Sequence, residues 1–268
     1  MEAAYRLMLA IQAHPVEDCG EPLVRLPEAA MEAGVRLAFS PEKHVRGTER
    51  LFFLRSGLIA PFLEAARELN ARGWVLKIED AFRTRFIQKH LALREDVFAR
   101  IVEKVRWELG GEKPPLELLQ RRVAALIAMS PKVGTHMSGS AVDVSVLRLE
   151  DGSEVDRGAP YIELSEKTPM GSPFVPRRAR ANRSAITRIM ARHGFVTYPY
   201  EFWHYNRGDA MDACLRRSRR PARYGPVDLD PGSGTVTPIA EALEPLNRPD
   251  EFAARLEEVL RGVGGGQP

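Results

Sequence analysis

The segment GTHMSGSAVDVSVL, residues 134–147, constrains the fold more than any other part of the sequence. Its second half is rich in valine and alternates, which predicts a β-strand that begins near Ala141. An aspartate at position 143 is unexpected there, because aspartate is disfavoured inside strands. Gly139 permits a tight turn before the strand, so His136 and Asp143 can converge. Local conflicts of this kind tend to mark functional positions.

A second short segment, Glu201-Phe-Trp-His204, offers another imidazole and another carboxylate. Zinc prefers imidazole nitrogen and carboxylate oxygen, and a catalytic zinc has three protein ligands and an open position for water. Residues three apart in a regular strand face opposite sides. Glu201 and His204 can therefore share a site only where the backbone bends, and Pro199 just upstream favours such a bend.

A third pair of polar residues, Asp80 and Arg83, follows the segment WVLKIED, residues 74–80. The alternation in that segment predicts a strand. An arginine at its end can stabilise an oxyanion or hold a carboxylate. Surface arginines are abundant in this chain, so a salt bridge between Asp80 and Arg83 alone is the alternative.

The rest of the chain predicts an α+β fold. Helical periodicity marks residues 55–72, 86–110, 116–129, 179–193 and 249–260. The sequence has neither strict βαβ alternation nor a Gly-rich phosphate loop, which argues against a nucleotide-binding α/β fold. We expect one domain over residues 1–228. A C-terminal extension follows over residues 229–268. The turn-rich stretch 226–238 at the boundary is linker-like, and a short amphipathic helix and a disordered end from residue 262 come after it.

Composition narrows the class of protein. The 268 residues are 44% hydrophobic and 28% charged, as in ordinary globular proteins. A formal charge of +3 is too small to suggest nucleic-acid binding. No run approaches the ~18 apolar residues of a membrane span, and the N-terminus is a poor signal peptide. Cys19 and Cys214 belong to no metal motif and are expected as free thiols. These features predict a cytoplasmic protein.

The motifs HxxGxAxD and, far downstream, ExWH together resemble the zinc D-alanyl-D-alanine dipeptidases, the VanX-like branch of the M15 metallopeptidases. The resemblance extends from about Val35 to residue 228. It implies a central, mostly antiparallel sheet with flanking helices and a zinc site in a cleft. It also implies that residues 1–228 are a zinc peptidase domain.

Carried over position by position, the resemblance implies one zinc ion per chain, held by His136, Asp143 and His204. It implies Glu201 as the general acid and base, and Arg83 as the group that stabilises the transition state. The zinc-bound water would attack the scissile carbonyl, Glu201 would take its proton, and the same carboxyl would protonate the leaving amine.

The resemblance places Asp80 near the ammonium group of the substrate. Trp203 is expected to pack beside the site, with a substrate contact as the alternative. Two positions depart from the family pattern, which commonly has Ser where this chain has Gly134 and Pro where it has Thr84. Both departures concern substrate contacts rather than the metal ligands.

The resemblance implies hydrolysis of a short peptide, with a D,D-dipeptide such as D-Ala-D-Ala as the substrate. Two alternatives stay open. One is a related zinc carboxypeptidase or endopeptidase acting on peptidoglycan stem peptides, and the other is a binding module that retains the metal without turnover. Glu201 and Arg83 argue against the binding module, and the shape of the cleft separates the two enzymes. The expected partner is a small peptide, with no nucleic acid and no membrane; the oligomeric state is left open.

Overall fold

Two long strands pair antiparallel in the computed structural model, which describes residues 1–264. The helices of this part of the chain are α1 Glu2–Ala13, α2 Leu26–Glu32, α3 Ser56–Asn70, α4 Arg85–Leu91, α5 Glu95–Glu108, α6 Leu116–Ala124, α7 Arg177–Arg192, α8 Ala210–Leu215 and α9 Pro249–Gly264. The strands are β1 Leu23–Arg25, β2 Leu37–Phe39, β3 Phe53–Arg55, β4 Trp74–Asp80, β5 Ala141–Arg148, β6 Val196–Thr197, β7 His204–Asn206, β8 Val227–Leu229 and β9 Val236–Pro238.

The main sheet has five strands in the order β2-β4-β5-β7-β6. The β2–β4 pair is parallel, and the other three pairs are antiparallel. Separate two-stranded sheets form from β1 with β3 and from β8 with β9. The predicted α+β class with a mostly antiparallel central sheet is confirmed.

The two faces of β5 serve different purposes. Val142, Val144 and Val146 are fully buried against helices α3 and α7, in a core that also contains Phe62 and Ile189. Successive side chains of a strand point to opposite faces, so the residues between these valines face away from that core. Position 143 is one of them, which explains how an aspartate is accommodated inside a valine-rich strand.

A second apolar cluster joins α5, α6 and the C-terminal helix α9. Phe252 and Leu256 of α9 pack with Phe98 of α5 and Leu119 of α6. The helix continues through Gly264, so the prediction of disorder from residue 262 is wrong for 262–264; the remaining residues, 265–268, lie outside the described part of the chain. The boundary between domain and extension near residue 228 stays a prediction.

Other expectations need local correction. Residues 86–110 do not form one helix, because α4 ends at Leu91 and α5 begins at Glu95. The segment 226–238, expected as a linker, forms the antiparallel β8–β9 pair. Both cysteines are free thiols. Within residues 1–264, no helix combines the length and the apolar character needed to cross a bilayer.

Candidate active site

Three polar side chains meet on the face of the sheet that lies opposite the valine core. Asp143 on β5 is directly opposed to His204 on β7 in the antiparallel register, so both project from the same face. His136 precedes β5 in a short 3-10 turn, Thr135–Ser138. The structure therefore brings together the three residues that the sequence singled out as metal ligands.

Gly139 makes the turn between His136 and β5 possible. Its φ of +66° is left-handed, a conformation that glycine adopts without steric cost. A Cβ atom at this position would also lie 2.2 Å from a methyl carbon of Leu23. The turn that was expected at Gly139 is present, and two independent constraints favour glycine there.

The potential ligand atoms converge closely. Nδ1 of His204 lies 2.9 Å from Oδ1 of Asp143. Nε2 of His136 lies 3.2 Å from that Nδ1 and 3.3 Å from that Oδ1. All three residues are buried. Burial would raise the pKa of Asp143, but the two imidazoles hold it well below its ordinary value. Two imidazole nitrogens and one carboxylate oxygen form the donor set typical of a catalytic zinc site.

The opposite nitrogen of each imidazole has its own partner. Nδ1 of His136 donates to the backbone carbonyl of Ala81 at 2.5 Å. Nε2 of His204 lies 3.1 Å from the Thr135 hydroxyl. When Nδ1 binds a metal through its lone pair, Nε2 carries the ring proton and donates a hydrogen bond to that hydroxyl. Such partners fix the tautomer and the ring orientation of metal-binding histidines. In this protein the orienting groups are the Ala81 carbonyl and the Thr135 hydroxyl.

Glu201 lies at the bend that the sequence required. Its backbone N–H donates to the Tyr198 carbonyl, and the His204 N–H donates to the Glu201 carbonyl, so residues 198–204 turn tightly before β7. Glu201 consequently lines the same cavity as His204. Burial, reinforced by the charge of Asp143 and opposed by His204, raises the pKa of Glu201 to about 7. A carboxyl group with that pKa is suited to accept and return a proton near neutral pH.

Arg83 reaches the site from the segment that follows β4. Its Nη2 lies 3.2 Å from Oδ2 of Asp143, and its Nη1 donates to the Gln88 side-chain oxygen at 3.3 Å. Its Nε donates to Oδ2 of Asp80 at 2.7 Å. The guanidinium is thus held from three sides at the wall of the cavity. A fixed arginine beside a potential metal site can stabilise negative charge on a reacting oxygen.

Asp80 lies behind Arg83 and is completely buried. Its Oδ2 also accepts a hydrogen bond from Nε2 of His44 at 2.8 Å, and its Oδ1 accepts one from the Ala81 N–H at 3.0 Å. Burial would raise the pKa of Asp80, but Arg83 and His44 hold it well below its ordinary value. Asp80 is absent from the described residues that line the cavity, so the structure does not place it where a substrate ammonium group would bind.

Trp203 and Tyr161 close one side of the site. Trp203 is only 2% exposed and contacts Tyr161 edge to face, with ring centroids 5.5 Å apart. The Tyr161 hydroxyl donates to Oδ2 of Asp143 at 3.2 Å. Behind Trp203, the Phe202 ring carries the Arg183 guanidinium 3.9 Å from its centroid. The burial of Trp203 favours the packing role over a substrate contact. Tyr161 was missed, because it lies in a long irregular segment without a recognisable motif.

These groups open into one cavity of about 800 Å³, a volume that includes its mouth. Part of the lining consists of the polar groups described above. Another part, here called the aliphatic end, contains Val97, Leu126, Ile127 and Leu164 of the α5–α6–α9 cluster together with Leu91 and Ile162.

Comparison with known proteins identifies the class. Residues 112–221 match the model of the family Peptidase M15, described as D-ala-D-ala dipeptidase. The matched segment contains the three converging residues and Glu201, whereas Arg83 precedes it. Residues 112–221 are therefore similar to an M15 peptidase domain, and the chain is a hydrolytic peptidase.

The predicted resemblance to D-alanyl-D-alanine dipeptidases is also confirmed by individual relatives. A protein of that name from Synechocystis sp. is 27% identical over 244 residues, which cover 81% of this chain and 96% of the relative. Another from Escherichia coli is 39% identical over 70 residues, which cover 26% of this chain and 36% of the relative.

Two solved structures were also found by similarity of fold. One is the LdcB LD-carboxypeptidase, with a TM-score of 0.39 and 18% identity over 75% of each chain. The other is the D,D-pentapeptidase VanY with Zn(II), with a TM-score of 0.37 and 14% identity over 77% of this chain and 92% of the other.

Proposed function

We propose that this protein hydrolyses short peptides with one zinc ion per chain, and that a D,D-dipeptide such as D-Ala-D-Ala is a substrate. The observation that carries the proposal is the convergence of His136, Asp143 and His204 beside Glu201 in a single cavity. The dipeptidase names of the relatives support the choice of substrate. The expected partner is a small peptide, and the expected location is the cytoplasm.

The donor set fits zinc. His136 offers Nε2, His204 offers Nδ1 and Asp143 offers Oδ1, while Ala81 and Thr135 hold the far sides of the two rings. Three protein donors leave a position for water, as catalytic zinc sites require. When bound, zinc supplies Lewis acidity that lowers the pKa of water and polarises a carbonyl group.

The side chains of the protein perform the remaining steps. Glu201, whose pKa is raised to about 7, accepts a proton from the attacking water as the new C–O bond forms. It then gives that proton to the leaving amine as the C–N bond breaks. Arg83 faces the same space and stabilises the negative charge that develops on the carbonyl oxygen. Asp80 acts through Arg83 by holding its Nε, and Trp203 packs beside Glu201.

The two alternatives predict different results. A carboxypeptidase or endopeptidase acting on peptidoglycan stem peptides would cleave longer peptides in preference to free dipeptides. A metal-retaining binding module would bind zinc and peptide without turnover. The position of Glu201 and Arg83 at the cavity wall favours an enzyme.

The test combines zinc content with a peptide panel. Zinc-loaded protein is assayed on D,D, L,D and L,L dipeptides and on a blocked pentapeptide. We expect about one zinc per chain and cleavage of at least one D,D-dipeptide. His136→Ala and His204→Ala should lose zinc, whereas His14→Ala, which alters a histidine bonded to the Arg220 carbonyl, should retain it. Normal zinc content in both ligand variants would disprove the assignment, and cleavage of only the blocked peptide would favour the stem-peptide enzyme.

A further inference from the structure

The aliphatic end of the cavity is a built surface rather than a single exposed side chain. It combines Leu91 at the end of α4, Val97 in α5, Leu126 and Ile127 after α6, and Ile162 from the loop that follows β5. Val97 is almost fully buried, while the others are half-buried and keep part of their surface toward the cavity.

This wall is rigidly supported. The helix α5 that carries Val97 also carries Phe98, which packs against Phe252 of α9 with ring centroids 6.0 Å apart. Leu126 and Ile127 pack against the same helical cluster. A surface backed by close-packed side chains keeps its shape, so the aliphatic end remains available as a pocket.

The polar groups nearest to this wall already have partners. Gln88 accepts from Arg83 at 3.3 Å and donates to the Ala128 carbonyl at 3.1 Å. Arg94 makes two hydrogen bonds to Asp96, of 2.7 and 2.9 Å. A polar substrate side chain would lose water against the aliphatic surface, which is unfavourable. An apolar side chain would instead remove aliphatic surface from water.

The smallest expected substrate would leave this wall unused. D-Ala-D-Ala presents only two methyl groups and would leave the aliphatic end in contact with water. We propose that the preferred substrate is a dipeptide in which one residue bears a large apolar side chain, of the size of leucine or phenylalanine. This inference rests on the proposed dipeptide hydrolysis and specifies its substrate class.

The first experiment measures kcat/KM of zinc-loaded protein on matched dipeptides. The panel contains D-Ala-D-Ala, D-Ala-D-Leu, D-Leu-D-Ala, D-Ala-D-Phe and D-Phe-D-Ala. D-Ala-D-Asn and D-Asn-D-Ala serve as controls, because asparagine matches leucine in shape but is polar. One methylene in an apolar pocket is worth about 10–200-fold in kcat/KM. We expect at least one leucine or phenylalanine dipeptide to exceed D-Ala-D-Ala by about tenfold or more, and its asparagine counterpart to fall below it.

The possible failures are distinguishable. If D-Ala-D-Ala is cleaved and all the leucine and phenylalanine dipeptides are worse, the inference is overturned and dipeptide hydrolysis stands. An asparagine dipeptide as good as its leucine counterpart overturns it in the same way. If the zinc-loaded protein cleaves no dipeptide at all, the proposed function and the inference both fail.

A pair of variants locates the effect. Leu126→Trp fills the aliphatic end, whereas Leu118→Trp changes a half-buried leucine of the same helical cluster that does not line the cavity. The ratio of kcat/KM for the best large dipeptide to that for D-Ala-D-Ala should fall about tenfold or more in Leu126→Trp and stay unchanged in Leu118→Trp. If the tryptophan variant does not fold, Leu126→Ala takes its place. This variant removes part of the wall without filling the cavity and should also lower the ratio. An unchanged ratio in every folded variant at position 126 would overturn the inference.

Discussion

Replacing His44 by phenylalanine would test whether the buried chain of contacts behind Arg83 contributes to the reaction. Nδ1 of His44 accepts the Val45 N–H at 3.1 Å, so it carries no proton. Nε2 therefore carries the proton that is donated to Asp80 at 2.8 Å. Phenylalanine keeps most of the ring volume and removes both hydrogen bonds.

The expected loss of stability follows from these two bonds. A hydrogen bond to a charged group contributes about 1.5–3 kcal/mol, and a neutral one about 1 kcal/mol. The free energy of unfolding of His44→Phe should therefore fall by about 2.5–4 kcal/mol. For a chain of this size, Tm should decrease by roughly 5–15 °C.

The expected loss of activity is smaller than that for removing Arg83 itself. Without His44, Asp80 keeps its bonds to the Ala81 N–H and to Arg83, so the guanidinium remains near the site but is less firmly held. Arg83→Ala should cost about 10²–10³ in kcat, the scale for removing a group that stabilises an oxyanion. His44→Phe should cost about tenfold in kcat, since a positioned group is displaced rather than deleted.

A double-mutant cycle shows whether His44 acts through Arg83. Tm, zinc content, kcat and KM are measured for His44→Phe, Arg83→Ala and the double variant, with His14→Phe as the matched histidine control. If His44 acts through Arg83, the double variant has the kcat of Arg83→Ala alone. If His44→Phe lowers kcat by the same factor in the Arg83→Ala background as in the wild type, His44 does not act through Arg83. An unchanged Tm and kcat in His44→Phe would refute the whole reasoning.

Three further predictions concern the metal site and its acid-base group. Glu201→Gln should keep the zinc content near one per chain and lower the turnover number by a factor of at least about 10², since it removes the proton acceptor. Loss of zinc together with activity would make Glu201 a metal ligand. In metal-free protein the pKa of the Glu201 carboxyl is raised to about 7, so below that pH the group should be protonated and unable to accept a proton. Its ¹³C carboxyl chemical shift should therefore titrate near pH 7. A midpoint near the ordinary glutamate pKa would contradict this prediction. Thr135→Val removes the hydroxyl beside Nε2 of His204 and should weaken zinc binding by about 10–100-fold, whereas Thr135→Ser should keep the affinity.

The sequence predicted those features that depend on local patterns. The strand after Gly139, the turn at that glycine and the bend before His204 each follow from a few neighbouring residues. The close approach of the three polar side chains followed only from combining two motifs about 60 residues apart, because their contact depends on the β5–β7 register. No local pattern could connect His44 with Asp80, since the two residues meet only after β4 and the segment before β3 have come together.

Helix boundaries show the same limit. The apolar periodicity of residues 86–110 continues across the break between α4 and α5, so it predicted one helix. Leu91 and Val97, on the two sides of the break, both line the cavity. The segment 151–178 is largely irregular, and nothing in its sequence indicated that Tyr161 would reach Asp143. Contacts made by irregular segments are decided by the tertiary packing around them.

The direct opposition of Asp143 and His204 across β5 and β7 has a consequence for folding. A slip of one residue in this pairing would turn His204 to the opposite face of the sheet. A cation that binds both side chains therefore binds only the correct alignment and stabilises it relative to slipped ones. The β5–β7 register has only three pairs, from Ala141–Asn206 to Asp143–His204. If the proposed zinc binds there, it stabilises the alignment of β7 in addition to the hydrogen bonds, and proteolysis near residue 204 should report metal occupancy.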